Sequence, residues 1–141
     1  MAKTFRAELK GRDWVELEVS DSAPLKLRAM GCTEFLQQVR EVRKLLSGKT
    51  VESLSVPEGN SHGEILIREV FLKAKGQWEY PYQHEELCHC RVIPAVKVDA
   101  AIVAGAHTTE AVSRLTSAST ACGTCRHDVQ KIIDFRLRGN N

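Results

Sequence analysis

No stretch of this sequence approaches the ~18 consecutive apolar residues of a membrane span, although 43% of its residues are hydrophobic. The first residues lack the apolar core of an export signal, because Lys3, Arg6, Glu8 and Lys10 interrupt them. A cytoplasmic location without a membrane partner is therefore expected. Charge of one sign is also missing: 20 Lys and Arg stand against 18 Asp and Glu, a formal net charge of +2. That excess is too small to point to nucleic acid. The sequence shows no phosphate-binding loop, no dinucleotide fingerprint and no Ser/His/Asp arrangement, so no enzyme activity of its own is expected. Internal repeats and low-complexity tracts are absent. With 141 residues the chain has room for one ordinary domain or two small ones.

Cysteine, by contrast, is concentrated. Four of the five cysteines fall in two short clusters, Cys88-His89-Cys90 and Cys122-Gly123-Thr124-Cys125, separated by 31 residues. In a reducing compartment such pairs are ligands or redox groups rather than disulfides. A thiol binds metal as a thiolate, and four thiolates in one small volume repel one another unless metal neutralises them. Tetrahedral zinc and a [2Fe–2S] cluster both use four cysteines. The Cys-x-Cys pair suits zinc less well than a wider knuckle, without excluding it. The second pair lies in Thr116-Ser117-Ala118-Ser119-Thr120-Ala121-Cys122-Gly123-Thr124-Cys125, where hydroxyls and backbone N–H groups can donate to cluster sulfurs. Cys125 also precedes a helical pattern whose N-terminal dipole favours negative charge. The local charge agrees: residues 88–141 hold 7 basic against 4 acidic residues, residues 1–87 hold 13 against 14.

The rest of the chain divides by period. Phe5, Ala7 and Leu9 alternate with Arg6 and Glu8, and after the polar turn Lys10-Gly11-Arg12-Asp13 so do Val15, Leu17 and Val19 with Glu16 and Glu18. This predicts a β-hairpin with one buried face, and Leu25–Ala29 predicts a third strand. The period then becomes helical. Thr33 can cap a helix over Glu34–Leu46 with Leu36, Val39, Val42 and Leu46 inward. Ser61 with Glu64 has the form of a capping box, opening a helix whose apolar face is so broad that burial on more than one side is expected. Gly76 ends it. Trp78, Tyr80 and Tyr82 then crowd into five residues of a chain only 6% aromatic. They are expected to pack the two halves together, with a docking surface as the alternative. Beyond Cys90, Pro94 opens a helix with Val98, Ala101 and Ile102 inward and Gly105 as its stop. Thr108 caps a second, bearing Val112 and Leu115, and a third carries Val129, Ile132, Ile133 and Leu137.

Cys88-His89-Cys90-Arg91, Val98-Asp99-Ala100-Ala101-Ile102, Gly105-Ala106 and the run Thr116–Arg126 together closely resemble the bacterioferritin-associated-ferredoxin-like [2Fe–2S] domain, over residues 85–135. That domain occurs alone as a small ferredoxin, within assimilatory nitrite and nitrate reductases, and inside an iron–sulfur scaffold protein. The resemblance implies a compact helical fold with a [2Fe–2S] cluster held between two loops, and Cys88, Cys90, Cys122 and Cys125 as its ligands. Ala121 departs from the glycine common at that position.

The expectation is therefore an α+β protein. Residues 1–80 form a small unit of two or three strands with two helices, of unknown role; residues 81–141 form an all-α helix-turn-helix [2Fe–2S] module. Its function is one-electron transfer with a redox protein partner; cluster or iron transfer and a structural zinc module are the alternatives. Of the residues left over, Cys32 is expected to be a small packed residue, with a reactive or cluster-accepting role as the alternative. His89 is expected to face solvent, with cluster contact as the alternative. Arg91, Arg114 and Arg126 are expected to offset cluster charge, meet an acidic or phosphate-bearing partner, or stay solvated. His62, His84, His107 and His127 show no ligand spacing.

Overall fold

The computed structural model describes residues 3–9, 12–20, 25–46, 48–83, 93–116 and 126–138, and the backbone of 86–88. The chain divides into two compact units, Met1–Trp78 and Glu79–Asn141. The front unit begins with three antiparallel strands in the order β1 (Lys3–Leu9), β2 (Asp13–Val19) and β3 (Lys26–Met30). Successive side chains of a strand point to opposite faces, so the alternation sorts them. Ala7, Leu9, Val15, Leu17 and Leu27 are buried on one face. On the other, Arg6 reaches Glu8 at 3.3 Å and Glu16 at 3.4 Å and lies over the Trp14 ring. The register pairs Phe5 with Leu17 and Leu9 with Asp13 on one side of β2, and Leu17 with Leu27 and Trp14 with Met30 on the other. The third strand thus exists, one residue later than its alternation suggested.

Two helices cover the buried face. Helix α1 (Thr33–Leu45) turns Phe35 and Val39 inward, with Leu46 buried just beyond it, whereas Leu36 is 39% exposed. The expected line through Val39 and Leu46 therefore holds, and its first member changes from Leu36 to Phe35. Positions 35, 39, 42 and 46 continue one helical face as well as 36 does, and the larger Phe35 ring takes the site against the sheet. Arg43 ties the helix down by donating from Nε and Nη2 to the Leu27 carbonyl, at 3.1 and 2.9 Å.

Helix α2 (His62–Ala74) starts at the expected capping box. Ser61 Oγ accepts the Glu64 N–H at 3.2 Å, and Glu64 Oε1 accepts the Ser61 N–H at 3.4 Å. It is buried at Gly63 and from Ile65 through Leu72, and packs on β1, β2 and α1, which explains its broad apolar surface. The two charged residues in that span are satisfied. Arg68 donates to the Pro57 and Gly59 carbonyls, and Glu69 pairs with Lys73, whose ammonium also reaches the Arg6 carbonyl at 2.9 Å. At its end Gln77 N–H reaches the Leu72 carbonyl and Gly76 N–H that of Lys73, at 2.8 and 3.1 Å. This double closure needs a left-handed residue, and Gly76 supplies it at φ 73°.

The second unit opens with a short antiparallel ladder, β4 (Glu86–Cys88) against β5 (Ile93–Pro94), which its helical sequence pattern did not suggest. Helices α3 (Ala95–Ala104), α4 (Thr109–Thr116) and α5 (Arg126–Arg138) follow. Ile93, Val98, Ile102, Val112, Val129, Ile132 and Ile133 form one core, with Tyr80 and Tyr82 packed against it. Those two aromatics therefore serve the second unit's own core, while Trp78 in the front unit lies beneath the Lys73 ammonium, 5.5 Å from its ring centre. Of the two apolar residues that mark α4, Val112 is fully buried and Leu115 is 65% exposed. On so short a helix Val112 and Thr116, four residues apart, occupy the inner line, and Leu115 is turned away from it. The Thr116 hydroxyl donates to the Val112 carbonyl at 2.8 Å, so its burial leaves the hydroxyl proton paired.

A polar tie joins α3 to α5. Arg136, 6% exposed, donates from Nε and Nη2 to the two carboxylate oxygens of Asp99 at 2.8 and 2.6 Å. The Tyr80 hydroxyl donates to the same carboxylate at 2.8 Å. Removing the carboxylate leaves a buried guanidinium without its counter-charge. Asp99→Ala is predicted to lower unfolding free energy by about 2–4 kcal/mol, read from the denaturant midpoint by circular dichroism. A loss below about 0.5 kcal/mol would show that solvent screens the pair.

Candidate metal centres

The two cysteine clusters are anchored at their flanks by the helical core. Cys88 is the last residue of β4, in register with buried Ile93 of β5, and β4 and β5 both pack on α3. The side chain of Cys88, and Cys90, Cys122 and Cys125 altogether, lie outside the described residues. The second pair falls in the segment between Thr116, where α4 ends, and Arg126, where α5 begins. Helices α4 and α5 pack on each other, so both flanks of that segment belong to the same core as β5. Helix α5 starts directly after Cys125, and the unpaired N–H groups of a first turn favour an anion at that place. Arg114 and Arg126 are exposed. Four cysteines in two segments flanked by this core, with a helix beginning directly after the last in sequence, are the donor types that an anionic cluster ligated by sulfur alone requires.

A different set of donors meets in the front unit. Asp13 is the first residue of β2, in phase with Val15 and Leu17, and the alternation that buries them buries it to 3% exposure. It is part of the strand, not of the polar turn in which its neighbours Gly11 and Arg12 placed it. Because Trp14 pairs with Met30, the next positions along bring Asp13 to the start of α1. There the Cys32 N–H donates to Asp13 Oδ1 at 3.1 Å. Cys32 is the N-cap of α1 and is exposed, not packed as expected. The first residue of α2, His62, completes the group. Its Nε2 lies 2.6 Å from Asp13 Oδ2 and 3.3 Å from Cys32 Sγ, and Sγ lies 3.9 Å from Oδ2. The imidazole is 17% exposed and tilted against the Phe35 ring, 6.0 Å between centres.

Sequence spacing could not reveal this meeting, since the three residues stand 19 and 30 apart. A signal for Asp13 existed in its phase with Val15 and Leu17. None existed for His62. Gly31 makes room for the group and Gly63 for the side chains of Gln38 and Phe35. A β-carbon on Gly31 would lie 2.7 Å from Asp13 Cγ and 2.7 Å from the Phe35 ring, and one on Gly63 would collide with Gln38 and Phe35.

Comparison with protein families matches residues 87–134 to the BFD-like [2Fe-2S] binding domain. The match covers about a third of the chain, includes both cysteine clusters and excludes the front unit. No curated protein and no solved structure matches.

The glycine contacts yield a prediction. Gly31→Ala should displace the Asp13 carboxylate or the Phe35 ring and destabilise the protein by about 1–3 kcal/mol, the usual cost of overpacking. Urea unfolding of the two proteins reads the difference, and an unchanged midpoint would mean that the strand end yields without cost.

Proposed function

On the premise that residues 87–134 are a BFD-like [2Fe-2S] binding domain, we propose that this protein is a one-electron carrier whose cluster is held by Cys88, Cys90, Cys122 and Cys125. The observation that carries the reading is that the family match spans all four of these cysteines and no other. Once bound, such a cluster accepts and returns one electron between the diferric and mixed-valence states. The chain supplies the thiolates, the core that anchors the flanks of both cysteine loops, and the positive end of α5. Lys, Arg and helix-dipole charge near the site favours the more negative, reduced form, and exposed Arg114 and Arg126 offer an acidic redox partner a matching surface. No catalysis of its own is assigned to the chain. A cytoplasmic setting, where the thiols stay reduced until loaded, suits this use. The front unit, on the same reading, selects the partner.

Cys122→Ala is expected to abolish the visible absorption of the purified protein, whereas Cys32→Ala leaves it intact. Loss of colour in Cys32→Ala would overturn the ligand assignment. The carrier role predicts a reversible midpoint potential in the native protein and a cluster that survives a chelator. Rapid passage of the intact cluster to an apo-ferredoxin would replace that role with cluster delivery. Colourless protein holding one zinc at these cysteines would remove both readings.

A further inference from the structure

We propose that Asp13, Cys32 and His62 form a second metal site, in the front unit, for a single zinc-class divalent cation. The three ligand atoms come from a strand end and two helix starts, and all lie within 4.8 Å of one another. They are of the types that zinc takes: one sulfur, one imidazole nitrogen and one carboxylate oxygen. Zinc bonds of ~2.0–2.3 Å to such atoms, set tetrahedrally, separate the donors by about 3.4–3.6 Å. The observed separations are 2.6, 3.3 and 3.9 Å, so the thiol and carboxylate are close to place and His62 must retreat from Asp13 by about 0.8 Å. His62 is the first residue of its helix and partly exposed, which leaves its side chain room for that shift.

Two further features favour a cation over a merely hydrogen-bonded trio. Nε2 faces both the carboxylate and the sulfur, and a single ring proton cannot serve two neighbours well; a cation between the three atoms bonds to all of them. The orientation of the carboxylate is also fixed from behind. Oδ1 is held by the Cys32 N–H, leaving Oδ2 to point at the other donors, the outer support that metal-binding carboxylates have. Charge closes as well. Binding releases the thiol proton to solvent, and the thiolate and carboxylate together cancel the two charges of the cation. Asp13 is buried while Cys32 is exposed, so the site has a fixed inner wall and an open outer side. Three protein donors leave a fourth position, facing that side, for water or a ligand from outside.

The test uses the full chain with whatever metal it carries on purification, dialysed against a weak chelator and titrated with zinc alone. The wild type is expected to take up one zinc more than His62→Ala, with affinity reduced more than about tenfold in Cys32→Ser, since loss of a direct ligand exceeds the usual 10–100-fold effect of an outer one only in degree. Zinc should also slow maleimide labelling of Cys32, read by mass on its peptide, while the visible absorption stays constant. Because the result is a difference between wild type and front-unit variants, it holds whether the four-cysteine site carries a cluster or zinc. Circular dichroism checks the fold, and Asp13→Asn, nearly isosteric, keeps an acceptor for the Cys32 N–H. Equal zinc uptake by wild type and His62→Ala, or labelling of Cys32 that zinc does not slow, would overturn the site.

Discussion

The phase of β2 governs the front unit. Val15 and Leu17 are fully buried and fix which face of the strand meets the helices. Slipping the pairing by one residue would turn both of them outward and bring Glu16 and Glu18 in. Asp13 is two residues before Val15 and has no choice of face. Its burial follows from its neighbours, and the structure around it answers that constraint. The first N–H of the α1 approach bonds one oxygen, His62 meets the other, and Gly31 has no β-carbon to obstruct either. A buried carboxylate without such partners would cost several kcal/mol. Two helix N-termini near an anion are favourable for the same reason.

The helical unit solves a related problem with different means. Its core is apolar, and a bidentate ion pair, Asp99 with Arg136, links α3 to α5 beside Tyr80. That pairing fixes how the two helices face each other, which hydrophobic contact alone specifies less sharply. Helix α3 follows β5 directly and α5 follows the second cysteine segment directly, so the pair ties together elements next to both segments.

Much of this was legible in residue order. Period-two alternation located the sheet, Ser61 and Glu64 marked the start of α2, Thr108 the start of α4, and the cysteine pairs with their small-residue run marked the [2Fe–2S] domain. Local rules failed where a choice among adjacent apolar residues depended on the partner element. Leu36 and Phe35 fit a helical stripe equally well, and only the sheet beneath α1 decides for Phe35. Leu115 is as apolar as Val112, yet Val112 and Thr116 fill the contact line of the short α4 and Leu115 stays exposed. His62 shows a deeper limit. Ligand motifs are recognised by spacing along the chain, and a donor set drawn from the ends of three elements has no spacing to recognise.

The contrast between the two donor sets bears on why one chain can hold both. Four thiolates suit iron–sulfur clusters or zinc and give hard cations little reason to bind. One thiol, one imidazole and one carboxylate lack the sulfur to hold a cluster, yet suit a lone divalent ion of intermediate softness. The two sets therefore differ in kind, so that metal entering one need not deplete the other. Their surroundings differ accordingly. Cys32 is exposed at a helix start, with the rest of its group walled by Phe35 and the sheet, whereas the four remaining cysteines adjoin elements locked into a single apolar core. An open three-donor group exchanges its outer ligand readily; a group of four donors has no such vacancy. On these grounds a cation at the proposed front site would stay open to a ligand from outside, and a cluster on four thiolates would not.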